Sequence, residues 1–62
     1  MRASLKALQL QHNLTNKEMA KIGGVDSVTL WRIYKNELDG SFTFWANIKD
    51  HFNLTWANLK AY

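Results

Sequence analysis

No cysteine occurs in the 62 residues, so neither a disulfide nor a thiolate metal site is available to hold this chain together. Proline is absent and glycine occurs three times, and no low-complexity tract or repeat marks a linker between domains. No apolar run approaches the ~20 residues of a membrane span, and the first residues carry no secretory h-region, so an intracellular protein is expected. The lack of cysteine agrees with a reducing cytosol. The two histidines, His12 and His51, lie far apart and have no metal-ligand spacing. Neither a nucleophile, base and acid set nor a Gly-rich phosphate loop can be read, so an enzyme is not expected and no cofactor is implied.

Three Trp, three Phe and two Tyr are present instead, in a composition that is 47% hydrophobic. A chain this short makes one domain, residues 1–62, and buries only about 60% of its unfolded surface, so its stability must come from packing. Eight Lys and Arg against five Asp and Glu leave a formal charge of +3. That excess suits a polyanion partner but is common in small domains, so charge alone assigns no function.

Hydrophobic spacing predicts an all-α chain of about five short helices. The first runs from about Arg2 to His12, with Leu5, Leu8 and His12 on one stripe and Met1 nearby. Asn13 ends it. Leu10 falls off that stripe, either as a lone exposed leucine or as part of a contact surface. The fourth helix is capped by Ser41 and reaches about His51, with Phe42, Trp45, Ile48 and Phe52 as its expected buried stripe and Phe44 left outside. The loop before it, residues 37–40, is polar with Leu38 as an anchor. Thr55 caps a fifth helix from Trp56 to about Lys60, whose Trp56 and Leu59 either close the core or meet a second subunit.

The stretch from Leu14 to Asn36 organises the rest. Thr15 and Glu18 have the spacing of a capping box, and Leu14 is placed as a staple toward Met19. Gly23 and Gly24 end this second helix, since a sharp reversal needs positive φ. Val25 plugs the turn. Asp26 caps the third helix, about Ser27 to Lys35, with Asn36 as a left-handed stop. At about 100° per residue, Leu30 and Ile33 point one way while Val28, Trp31, Arg32 and Lys35 face the other, with Ser27 at the edge. Two helices, a tight turn between them and a polar, basic outer face on the second form the layout in which the second helix enters the DNA major groove.

The order Leu-Thr-x-x-x-Met-Ala-x-x-x-Gly-Val-x-x-x-Thr-Leu-x-Arg-Ile at residues 14–33 resembles the Cro/C1-type helix-turn-helix family of phage repressors and bacterial regulators. Leu5 and Leu8 fit the family's apolar first helix. Phe42, Trp45, Ile48 and Phe52 follow its fourth helix, and Asn53 to Trp56 with Leu59 its fifth. The resemblance therefore spans nearly the whole chain. It implies a lambda repressor-like DNA-binding domain in the cytoplasm of a bacterial host cell. It also implies a phage or prophage setting and a double-stranded DNA operator. A short domain offers few base contacts by itself, so a homodimer on that DNA is expected, either weak or monomeric in solution, with helix five and the 37–40 loop nearest the partner.

Ser27, Val28, Thr29, Trp31 and Arg32 are the expected base-reading residues. Arg32 is suited to a bidentate contact with guanine O6 and N7, and Val28 to a thymine methyl. Ser27 and Thr29 have a second possible role in capping with Asp26. Asn16 and Lys17, at the positive end of the second helix, and Lys35 are the expected phosphate contacts. In the family, the position of Asn16 is often a glutamine that bridges phosphate and recognition helix. Trp31 has three outlets: thymine methyls or sugars, a fold-back over Ser27 and Tyr34, or a protein partner. The rival expectation is a protein-interaction module on the same fold, an antirepressor or modulator that binds another phage repressor, with Trp31, Leu10 and Phe44 as its surplus apolar surface.

Overall fold

In the computed structural model, which describes residues 3–60, the chain forms five helices and, among those residues, no strand. They are α1 (Ala3–Gln11), α2 (Asn16–Gly23), α3 (Ser27–Tyr34), α4 (Phe42–His51) and α5 (Trp56–Leu59). The all-α bundle agrees with the hydrophobic spacing. The boundaries sit within a residue or two of the expected ones, except that Met1 and Arg2 lie outside the described residues.

Three of the four connections follow one local rule. Asn13, Gly24 and Asn53 each take the left-handed conformation, with φ of 55°, 74° and 56°. An apolar residue follows, and then an N-cap. Leu14, Val25 and Leu54 donate their backbone N–H to the carbonyls of Gln9, Ala20 and Lys49 at 3.1, 3.0 and 2.8 Å, the six-to-one bond of a Schellman ending. The same three side chains pack on the core as plugs. Thr15, Asp26 and Thr55 then cap α2, α3 and α5. The Asn-Leu-Thr sequence at 13–15 recurs at 53–55, a connector repeat too short to show in the hydrophobic spacing. Asparagine serves in place of glycine because it tolerates the left-handed region better than other side chains. Asn36 ends α3 in the same way, with φ 62° and Glu37 N–H on the Arg32 carbonyl at 2.9 Å, but a longer loop then leads to the Ser41 cap.

The core comprises Leu5, Leu8, Met19, Ala20, Leu30, Ile33, Tyr34, Phe44, Ile48 and Leu59. Helix α2 packs against both α3 and α4, and α1 against α3, so the central helix pair is braced from two sides.

Three expectations are corrected and one alternative is narrowed. Phe44 is fully buried, while Phe42 is 75% exposed, so the two phenylalanines exchange roles. Phe42 is the first residue of α4 and swings outward to stack on Trp56 at 5.5 Å between ring centroids. The Phe44 ring instead fills a slot between two glycines. A Cβ on Gly23 would come within 2.6 Å of it, and one on Gly40 within 3.2 Å. His12 is exposed rather than part of the α1 stripe, because the helix ends at Gln11 and Asn13 turns the chain away. Gln9 is buried there instead. Leu38 is 41% exposed, and it is the Trp45 indole, donating to the Asp39 carbonyl at 2.8 Å, that ties down the 37–40 loop. Trp56 is half-exposed beside Phe42, and only Leu59 of α5 closes the core.

Candidate nucleic-acid interface

The candidate surface is built on α2, the turn at Gly24, Val25 and Asp26, and α3. The capping box of α2 forms as its spacing predicts: Glu18 N–H donates to Thr15 Oγ1 at 3.1 Å and Thr15 N–H to Glu18 Oε1 at 2.9 Å. Hydrogen bonds to it from the Thr15 backbone and side chain hold the Glu18 carboxyl below its ordinary pKa. Gly23 completes α2 inside the core, its carbonyl accepting from Asn47 Nδ2 at 3.2 Å, and Gly24 alone makes the left-handed exit. Asp26 Oδ1 accepts the Thr29 N–H at 2.7 Å, and hydrogen bonds from the Thr29 side chain and backbone, aided by the charge of Arg32, lower the Asp26 pKa. The third helix is thus fixed at its first turn.

Its two faces separate as the periodicity requires. Leu30, Ile33 and Tyr34 are buried, while Ser27, Val28, Trp31, Arg32 and Lys35 are exposed. Val28 is 59% and Trp31 47% accessible, and the Lys35 ammonium lies 5.6 Å from the Trp31 ring centroid. That cation–π contact orders two long side chains on the outer face. Thr29 is half-buried, with its N–H committed to the Asp26 cap, which makes it the least available of the expected base readers.

Asn16 and Lys17 are exposed at the start of α2. Asn16 has neighbours that periodicity does not identify. Its Oδ1 accepts from Lys6 Nζ at 2.8 Å and from Gln9 Nε2 at 2.9 Å. Gln9 Nε2 also donates to the Leu14 carbonyl at 3.0 Å, and the Tyr34 hydroxyl donates to Gln9 Oε1 in the buried interior. Burial pushes the Tyr34 hydroxyl up to about 12. Lys6 also lies 5.4 Å from the Tyr34 ring centroid. Helix α1 therefore brings a second cation to the place where Asn16 and Lys17 stand. The one sequence signal for this cluster is that Gln9 follows Leu8 on the buried side of α1, a position where an unpaired amide would be costly.

The arrangement offers hydrogen-bond donors and cations. Among the described residues, no group of three or more His, Cys, Asp or Glu side chains is placed to hold a metal ion. Nor is any described helix long and apolar enough to cross a membrane. Comparison with protein-family models, with curated proteins and with solved structures finds no match to this chain.

Proposed function

We propose that the protein is a sequence-specific duplex-DNA-binding regulator of transcription, a repressor of the Cro/C1 type, with α3 inserted in the operator major groove. The observation that carries this reading is the outer face of α3. Val28, Trp31, Arg32 and Lys35 stand exposed on a helix that Asp26 caps and whose opposite face is anchored by Leu30, Ile33 and Tyr34. Arg32 supplies a fork for guanine, while Val28 and Trp31 supply apolar surface for thymine methyls, and Ser27 a short polar group in the first turn. Asn16, Lys17 and Lys35 supply phosphate contacts that set register without carrying sequence information.

One such domain reads few base pairs, so two copies on a pseudo-palindromic operator are proposed, with half-sites about one helical turn apart. The stacked pair Phe42 and Trp56, with Leu38 in the loop before α4, is the apolar surface assigned to that pairing. The test is selection of binding sites from a random duplex library at moderate salt, since the phosphate contribution falls steeply as salt rises. Enrichment of an inverted repeat is expected. Failure of the folded protein to enrich any motif would overturn the reading.

The same exposed aromatics favour a second reading, an antirepressor that grips another phage repressor. Phe44 no longer supports it, being buried, but Phe42 and Trp56 join Trp31 and Leu10 as exposed apolar side chains. Under that reading Trp31→Ala abolishes a protein complex and Arg32→Ala leaves it intact.

A further inference from the structure

The bonds around Asn16 have a direction that elementary chemistry fixes. A lysine ammonium has three hydrogens to give and no lone pair, so the Asn16 atom 2.8 Å from Lys6 Nζ must be the amide oxygen. The Leu14 carbonyl can only accept, so the Gln9 atom 3.0 Å from it must be the amide nitrogen. That nitrogen spends its second hydrogen on the same Asn16 oxygen at 2.9 Å, and Gln9 Oε1 is left to accept from Tyr34. Gln9 is 2% exposed and both its amide hydrogens are used, so turning it over would set its oxygen against the Leu14 carbonyl and the Asn16 oxygen and break two bonds in the interior.

The consequence lies at the surface. Both lone pairs of Asn16 Oδ1 are occupied from the protein side, by Lys6 and Gln9. The amide cannot reverse without setting its NH2 against two donors. Its Nδ2 donates to no described residue, and Asn16 is exposed. The outward atom is therefore a donor, fixed in place at the first residue of α2, with the Lys6 ammonium beside it.

We propose that Gln9 and Lys6 are positioning residues which hold the Asn16 amino group outward as the donor to one backbone phosphate. The Tyr34 hydroxyl ties that contact to the last residue of α3. Through this chain of bonds α1 sets the distance between the phosphate contact and the base-reading helix. The inference rests on the DNA-binding reading and deepens it, because it assigns functional work to three residues on the inner side of the interface.

The test is phosphate ethylation interference on the selected operator, which reports contacts one phosphate at a time. Wild-type protein is expected to lose binding when a particular phosphate is ethylated, and Asn16→Ala to become insensitive at that phosphate. Gln9→Met, of similar length but without donor or acceptor, is expected to become insensitive at the same phosphate. Its affinity should fall roughly fivefold to tenfold, the loss of one ordinary hydrogen bond. Asn16→Asp keeps an oxygen for Lys6 and Gln9 but turns a second oxygen outward. It is expected to stay folded and to bind more than tenfold more weakly.

A Gln9→Met protein that binds more weakly but keeps the wild-type interference pattern would mean that Gln9 only packs the core, and the proposal would fall. Unchanged binding by Asn16→Asp would overturn it equally, and that variant decides the matter if Gln9→Met does not fold. Wild-type protein that selects no DNA at all would instead overturn the functional reading, and this inference with it.

Discussion

Gly23→Ala is the substitution whose effect the packing fixes most sharply. On helix propensity alone the change is favourable, by up to about 1 kcal/mol, and less here because Gly23 is the last residue of α2. The added methyl would stand 2.6 Å from both Cδ1 and Cε1 of Phe44. Carbon atoms rest at about 3.5–4.0 Å, so the ring must retreat by roughly 1 Å. It has nowhere to go. Phe44 is fully buried, its far edge lies against Gly40, and Trp45 meets it edge-on at 5.1 Å between centroids. Overpacking of this kind costs about 1–3 kcal/mol, which exceeds the propensity gain.

The expected net effect is a destabilisation of about 1–2 kcal/mol. For a domain of this size that is a fall in Tm of roughly 5–15 °C. Thermal and urea unfolding followed by far-ultraviolet circular dichroism measures it, and the double variant Gly23→Ala with Phe44→Leu should recover part of the loss through positive coupling. A Gly23→Ala protein that melts at or above the wild-type temperature would refute the reasoning, because propensity would then outweigh the Phe44 contact.

Three further outcomes are expected. Tyr34 has its pKa raised from 10.0 to about 12 by burial, so its contribution is fully present below pH 10 and is lost as pH rises from 10 toward 12. Alkaline denaturation should show a loss on the order of 2 kcal/mol in that window, which Tyr34→Phe removes. Arg32→Ala should weaken operator binding by about 1–3 kcal/mol and relax specificity at one base pair, whereas Lys35→Ala should weaken binding to all sequences and reduce the salt slope by about 1, as read by titrations at several salt concentrations. Phe42→Ser should change monomer stability by no more than about 0.5 kcal/mol, as expected for an exposed side chain, while abolishing cooperative occupation of the two half-sites in a gel-shift titration.

What the sequence determined by itself is local in its physics. The stops at Asn13 and Asn36, the glycine exit at residues 23–24, and the caps at Thr15, Asp26, Ser41 and Thr55 depend on a few neighbouring residues, and each forms where its chemistry indicates. The two faces of α3 were legible for the same reason, since eight residues at helical spacing leave one way to bury Leu30 and Ile33. That legibility reached the outward residues Val28, Trp31, Arg32 and Lys35 as well.

Tertiary structure decided what one helix cannot specify. On α4, spacing allows either Phe42 or Phe44 to lead the buried stripe, and the choice falls to Phe44 because Gly23 and Gly40, from other segments, lack the Cβ atoms that would occupy its place. On α1, Gln9 falls on the buried side, where spacing alone gives its amide no partner. It is buried because the Tyr34 hydroxyl, the Leu14 carbonyl and the Asn16 amide, from three different segments, meet all its hydrogen-bonding needs at once. Burial of a polar group is governed by partners outside its own helix, and hydrophobic periodicity contains no information about them.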